Sequence, residues 1–320
     1  MKSRIVLSAL AASALVALST SCSKPAENSD KIRIGVSIPS ADHGWTGGVV
    51  WWAQKTIAEW KAADPNLVFY LVTADSATKQ VADIEDLMVK GIDALVVLAH
   101  DSAPLTPIVG SVAKKGIFVV SVDRGLTQPV ENVYVAGDNP GLGRVSGEWM
   151  VNVLEGQGDI VILEGIPCVI NTERVEAFMD VIKKHPGIKV LDSQPAYWST
   201  QKGLEIMENY LQKHPKIDAV WAQDDDVLKG VLQAYKEVER DDIKFFLGGA
   251  GSKEMIKRVL DNDPLVQADV TYSPAMIVKG IEVAVKSLRD NEEFPARIII
   301  PSELVTPENA ADYYFPDSVF

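Results

Sequence analysis

IRIGVSIPSADHGWTGG (32–48) decides how the rest of the chain is read. Its opening, IRIGVSI, is a near-continuous apolar run, the pattern of a strand covered on both faces. A polar, glycine-rich segment follows, and a helical pattern begins at about 47 and runs to 63. The same strand pattern recurs in LVFYLVT (67–73), DALVVLA (93–99) and IFVVSV (117–122), separated by helical patterns at 79–90 and 104–115. Lys90-Gly91 and Lys115-Gly116 end two of these helices with a cation and a C-terminal glycine. A βαβ series of this kind folds as a parallel, doubly wound sheet.

After Gly137 the rhythm restarts. DIVILEG (159–165), IKVLDSQ (188–194), DAVWAQD (218–224), KFFLGG (244–249) and VQADVT (266–271) are the strands of a second set. Helical patterns at 141–155, 172–184, 201–213, 226–239 and 252–261 separate them. A last helix at 275–290, a strand at RIIIP (297–301) and a tail to Phe320 complete the chain. The expected class is α/β, with two Rossmann-like lobes built on parallel doubly wound sheets.

Composition excludes several function classes. Over 320 residues, 31 Lys+Arg stand against 44 Asp+Glu, a formal net charge of −13. A nucleic-acid surface needs a cationic stripe to displace counterions, which this balance does not favour. A hydrophobic fraction of 47% rules out wholesale disorder. A mean hydropathy of +0.06 rules out a multi-span membrane protein. Two cysteines are too few for a disulfide framework or a cysteine-rich metal site.

MKSRIVLSALAASALVALSTSC (1–22) has a basic start at Lys2 and Arg4, an apolar stretch from Ile5 to Leu18, and small residues before Cys22. That is the pattern of an export signal over 1–21, too short for a spanning helix. Loss of its two cations takes the formal charge from −13 to −15. The setting of Cys22 resembles a bacterial lipobox, although Ser19 stands where that motif usually has Leu. Lipidation at Cys22 would leave SKPAENSD as a polar tether ending at residue 30; ordinary cleavage near Ser19–Ser21 would leave a free periplasmic protein.

Open α/β sheets bind ligands beyond the carboxyl ends of their strands. Asp42, His43 and Trp45 follow the first strand, and Asp123, Arg124 and Gly125 follow the fourth. In the second half, Arg174 lies near the start of a helix after the first strand, Trp198 follows the second, Asp224 the third and Tyr272 the last. Two indoles, several carboxylates and two guanidiniums form the chemistry of a carbohydrate site: sugar C–H faces pack on rings, and hydroxyls pair with planar polar groups. Blander roles exist for each. Trp45 could belong to the core, Asp123 and Arg124 to a surface ion pair, and Asp225 and Asp226 to a solvated helix N-terminus. Trp51, Trp52 and Trp60 are expected to pack, Cys168 to be a small buried or loop residue, and His100, His185 and His214 to be structural or solvent-facing.

No catalytic residue, cofactor or metal is expected. The chain has no G-x-S-x-G elbow, no P-loop and no H-E-x-x-H. Gly141, Gly143 and Gly147 miss the dinucleotide-binding spacing. Asp261 and Asp263 do not continue as a calcium loop, because Leu265 takes the next ligand position.

GVSIPSADHGWTGG (35–48), VDRG (122–125), GDNPGLG (137–143), TERVEAF (172–178), SQPAYW (193–198), AQDDDVLKG (222–230) and TPENAADYYFPDSVF (306–320) share a family pattern in order and spacing. The chain resembles bacterial periplasmic sugar-binding proteins of the ribose/galactose class, the type I receptors of ABC importers, over roughly 31–320. The resemblance implies a sugar or polyol clamped between Asp42, His43, Trp45, Asp123 and Arg124 on one lobe and Arg174, Trp198 and Asp224 on the other. Tyr272 would lie at the hinge side, and Trp45 and Trp198 would sandwich the ligand. It further implies three crossings, near Gly137, Ser273 and Ser302. The lobes would then be 31–136 with 273–302, and 137–272 with 303–320. Closure would be recognised by a membrane permease or by a chemoreceptor or sensor kinase. A monomer is expected, in the periplasm or on the outer face of a membrane, touching lipid only through an anchor at Cys22. Departures are also present: Asp224 stands where ribose receptors have an amide, Ala250 where they have an Asp, and Tyr272 where they have a Gln. These departures point away from ribose, to another sugar or a linear polyol. A transcriptional repressor would need a DNA-binding helix pair where the leader stands. An exported hydrolase or dehydrogenase would need a nucleophile–base set or a phosphate-binding turn.

Overall fold

The computed structural model of the protein describes residues 31–41 and 43–320; the expected leader, Cys22, the tether up to residue 30, and Asp42 lie outside the described residues. The chain begins as the apolar runs predict: β1 (Ile32–Pro39), α1 (Gly44–Ala63), β2 (Leu67–Ala74), α2 (Ala77–Val89), β3 (Ala94–Val97), α3 (Ser102–Lys114) and β4 (Phe118–Val122). A further strand, β5 (Val133–Gly137), follows a loop. The second series is α4 (Asn139–Val153), β6 (Gln157–Glu164), α5 (Val169–Ile182), β7 (Gly187–Pro195), α6 (Thr200–Lys213), β8 (Ala219–Ala222), α7 (Asp225–Lys236), β9 (Phe245–Leu247), α8 (Lys253–Leu260) and β10 (Asp269–Val270). The chain ends with α9 (Met276–Arg289), β11 (Arg297–Ile300), β12 (Leu304–Val305) and α10 (Ala310–Tyr313).

Two parallel sheets form, in the orders β11-β5-β4-β3-β1-β2 and β7-β6-β8-β9. Burial explains their sequence patterns. Every residue of β3 and of β8 is buried, as for strands covered on both faces, whereas the edge strand β11 alternates and leaves Ile299 exposed. Helix ends follow local chemistry. Ser76, Asp138, Ser199 and Ser252 each accept a hydrogen bond from a first-turn amide. Gly91 and Gly116 end α2 and α3 with φ of +69° and +78°, a conformation that costs glycine little.

The order of each sheet locates the functional region. In the first sheet the chain moves outward from β1 to β2 and then returns to β3 on the other side of β1. In the second, β7 and β8 flank β6 in the same way. Each reversal opens a crevice beyond the carboxyl ends of the strands. The segments linking the two sheets run side by side. Asp138 N donates to Ile300 O at 2.9 Å, Ser302 Oγ to Asp138 O at 3.0 Å, and Glu303 N to Thr271 Oγ1 at 2.9 Å. The antiparallel pair β10–β12 continues this bundle.

Two strand expectations need correction. Residues 133–137 form a strand where none was expected. Of VQADVT (266–271), only Asp269–Val270 pairs as a strand; Val266 and Ala268 are buried but contribute side chains rather than ladder bonds.

Candidate functional site

The strand ends of both sheets converge on a cavity of about 50 Å³. His43 and Trp45 reach it from the turn into α1, and Asp123 and Arg124 from the end of β4. Arg174 comes from α5, Trp198 from the segment after β7, Asp224 from the N-terminus of α7, and Tyr272 from the residues after β10. The eight described residues expected from sequence therefore line one space; Asp42 is outside the described residues. Ile170 and Ala250 complete the wall. Two wider grooves of about 590 and 600 Å³ flank the cavity, and both include Arg124 and Trp198.

Strained backbone gathers here. Among the described residues, Asp123 (φ +59°), Trp198 (φ +55°) and Ala250 (φ +101°) hold left-handed conformations on the cavity wall, and Tyr197 (φ +57°) does so in a flanking groove. Each costs about 1–3 kcal/mol unless its surroundings hold it. Asp123 is held on both sides: its N–H donates to Val135 O at 2.8 Å, and Tyr134 Oη donates to its carbonyl at 2.6 Å. Glycine makes room for two of the rings. A Cβ on Gly137 would fall 2.3 Å from the Tyr272 ring, and one on Gly165 would fall 2.2 Å from Trp198 Nε1.

Polar groups are fixed before any ligand arrives. Tyr272 Oη donates to Asp123 Oδ1 at 2.7 Å. The Arg174 guanidinium lies 4.4 Å from the centre of the Tyr272 ring, and its Nε donates to Asn139 Oδ1 at 2.9 Å. Arg124 Nη1 donates to His100 O at 2.6 Å. Trp45 belongs to the core and to the cavity at once: it is buried, and its Nε1 donates to Tyr272 O at 2.8 Å. Asp123 and Arg124 are thus held by other partners rather than by a surface ion pair.

Burial dominates the electrostatics. It raises the Asp123 carboxyl above its ordinary value, opposed by the Tyr272 hydroxyl and then by the charges of Arg124 and Arg174. Burial, with the charge of Asp123, also pushes the Tyr272 hydroxyl well up. The Asp224 carboxyl is pushed up to about 8, first by burial and then by the charges of Asp226 and Asp225. It caps α7, with Oδ1 accepting from Asp226 N at 2.8 Å and Val227 N at 3.4 Å. Burial therefore favours its protonated form, which can donate as well as accept.

A family model described as a periplasmic binding protein domain matches residues 34–292, most of the chain. The chain belongs to the periplasmic binding protein family. Among curated relatives, this periplasmic binding protein is 28% identical to the ribose import binding protein of Bacillus subtilis (strain 168), over 88% of this chain and 90% of that one. It is 32% identical to a xylitol-binding protein of Mycolicibacterium smegmatis, over 87% and 82%. Among solved structures, the fructose-binding periplasmic domain of a hybrid two-component system is 30% identical, with a TM-score of 0.74 over 88% of this chain and 92% of that one. A solute-binding protein of an ABC transporter from Bacillus halodurans, with bound myo-inositol, gives 26% and 0.77, over 90% and 98%.

One expectation for this periplasmic binding protein fails. Asp225 and Asp226 are not a solvated helix end. Asp225 is fully buried, its carboxylate accepting from Gly249 N and Ser252 N, and Asp226 is buried beside α1 with Oδ2 accepting from Gly44 N at 3.2 Å. Cys168 lies in the turn before α5 as an exposed loop residue, one of the two placements expected for it. Sequence reasoning also missed Asn139, which orients Arg174. It stands two residues after the end of β5, the strand the sequence reading did not expect.

Proposed function

We propose that the protein is the extracytoplasmic receptor of an ABC importer, binding a monosaccharide or sugar alcohol between its two lobes and catalysing no reaction. One observation carries this: the strand ends of both sheets bring His43, Trp45, Asp123, Arg124, Arg174, Trp198, Asp224 and Tyr272 around a single cavity. The set combines aromatic faces with carboxyl and guanidinium groups, as a polyhydroxylated ligand requires. The named ligands of the relatives, which include ribose and xylitol, support the same class. Trp45 and Trp198 take the ligand between their rings.

The lobes are 31–136 with 273–302, and 137–272 with 303–320, crossed near Gly137, Ser273 and Ser302. The hydrogen-bonded bundle of those segments supports a hinge, about which ligand binding favours the closed state. A membrane permease then recognises that state. The protein works in the periplasm or on the outer face of a membrane, as a monomer held by a lipid on Cys22. A second reading, a sugar receptor for a signalling partner, has the same site. The likeness to the periplasmic domain of a two-component system favours it. Titration calorimetry of the mature chain against pentoses, hexoses and polyols tests the ligand class. We expect a dissociation constant of about 1 μM or tighter for at least one member, equivalent to about −8 kcal/mol. Silence across the panel would sink the assignment.

A further inference from the structure

Asp123 and Arg174 meet at the cavity from different sheets: Asp123 follows β4 of the first, and Arg174 lies in α5, between β6 and β7 of the second. Two side chains from the segments that link the sheets join them. Asn139, the first residue of α4, is buried and stands outside the cavity wall. Its Oδ1 accepts from Arg174 Nε at 2.9 Å, and its Nδ2 faces Tyr272 Oη at 3.5 Å. Tyr272 Oη in turn donates to Asp123 Oδ1 at 2.7 Å, and the Tyr272 ring lies 4.4 Å from the Arg174 guanidinium.

The chemistry of the amide gives this row a direction. Arg174 Nε carries a hydrogen and can only donate, so the amide atom beside it must be the oxygen. The amide nitrogen then faces Tyr272 and also can only donate, so the hydroxyl accepts there and its own hydrogen is left for Asp123. We propose that Asn139 is a positioning residue for ligand binding. It holds the Arg174 guanidinium at the cavity and, through Tyr272, commits Asp123 Oδ1, so that Asp123 meets the ligand with Oδ2 alone. The two charged groups are thereby coupled across the sheets by a residue that does not line the cavity. This inference rests on the proposal that the cavity takes a polyhydroxylated ligand.

Asn139→Asp is the discriminating variant. It keeps an acceptor for Arg174 Nε but turns a second acceptor toward Tyr272, whose hydroxyl can then leave Asp123 for the new carboxylate. Asn139→Leu has a similar volume and offers neither contact. The full mature chain and its variants are titrated by calorimetry with ribose, fructose, xylitol and myo-inositol, with circular dichroism as the folding control. Asn139→Leu should weaken binding by about 10- to 100-fold, the scale of a lost hydrogen bond to a charged group. Asn139→Asp and Tyr272→Phe should be non-additive, the double variant departing from the product of the single effects by about threefold or more. The Arg174 Nε–H resonance, assigned by its loss in Arg174→Lys, reads the contact without ligand. It should stay near its place in Asn139→Asp and move upfield in Asn139→Leu. Should leucine prevent folding, the aspartate and phenylalanine variants carry the test, since an acid is favoured in a first helical turn. Unchanged affinity or an unmoved resonance in Asn139→Leu would overturn the hold on Arg174, and additive effects would overturn the link through Tyr272; both leave the carbohydrate assignment standing. No binding of the four compounds by the wild type would overturn that assignment, and the role of Asn139 in binding with it.

Discussion

Asp225 and Asp269 share a buried site, each with no exposed surface, and both reach Gly248, where a Cβ would fall 2.2 Å from Asp225 Oδ1 and 3.3 Å from Asp269 Oδ1. No N–H or hydroxyl of the described residues reaches Asp269 Oδ2. Two ionised carboxylates buried side by side repel and offer only acceptors, so their proximity favours one acid keeping its proton. Burial raises both, with Asp269 at about 7 and Asp225 held well up by burial and by the charge of Asp269.

The sign of the pH dependence follows. In the unfolded chain these acids titrate near about 3.9. Between that value and about 7 the folded protein retains a proton that the unfolded chain has released, so stability is complete below the window and falls as pH rises through it. Asp224, at about 8, extends the fall upward. Asp242, held down to about 2 mainly by Arg240, acts in the opposite sense but below this range. The melting temperature should therefore decline from pH 5 to pH 8.5. Asp269→Asn, which supplies its own donor and cannot ionise, should flatten that slope; a wild-type curve rising across the interval would contradict the pairing.

These acids also show where sequence reading stopped. A run of three Asp before a helix is compatible with a wet first turn, and nothing in AQDDDVLKG marks the middle one as facing Gly249 and Ser252. Their amides arrive from a loop about 25 residues further along. The main strands were legible because burial on both faces leaves long apolar runs, as in DALVVLA. Val133–Gly137 was not, because a polar loop rather than a helical pattern separates it from β4, so the alternation of strand and helix has no place for it. Missing it hid Asn139, since the strand-end rule had no strand there to apply to. Asp123 and Trp198 were legible from their positions, whereas their left-handed backbones were not, because neither residue type announces a positive φ.

Asp224 offers a test of protonation at the site. Asn preserves the cap of α7 and resembles the neutral acid. At pH 6, Asp224→Asn should bind ligand within about threefold of wild type, a difference of under 1 kcal/mol. Above pH 8 the wild type should diverge as Asp224 ionises beside Asp225 and Asp226, while the variant stays level. Calorimetry at pH 6 and pH 9 reads both. Identical pH profiles would show that Asp224 does not titrate near the ligand.

Asp123→Asn should weaken ligand binding by about 10- to 100-fold, the loss of a charge-assisted hydrogen bond. Asn is chosen because it tolerates the left-handed backbone at φ +59° better than Ala does. Trp198→Ala should cost at least as much by removing a ring face from the cavity wall. Both are measured by calorimetry beside circular dichroism. Wild-type affinity in both variants would place the ligand elsewhere.

The tail ties the second sheet's helices to the first sheet's. Phe320 is buried against α1, where a Cβ on Gly48 would come within 2.9 Å of it, and Phe315 meets Trp52 edge-on at 5.0 Å. Lys253, at the start of α8, donates to the carbonyls of Ser318 and Pro316. Phe320 thus anchors a strap that reaches from α8 to α1 across the mouth where Asp226 accepts from Gly44 N. Removing a buried phenyl costs about 3–5 kcal/mol when the site does not collapse. Phe320→Ala should lower unfolding stability in urea by that order. Lys253→Ala, losing a partly exposed tie, should cost only about 1 kcal/mol. Under the proposed hinge motion the strap bridges elements that separate on opening, so Phe320→Ala should also speed ligand release in stopped-flow tryptophan fluorescence. A destabilised variant with an unchanged release rate would make Phe320 a packing residue alone.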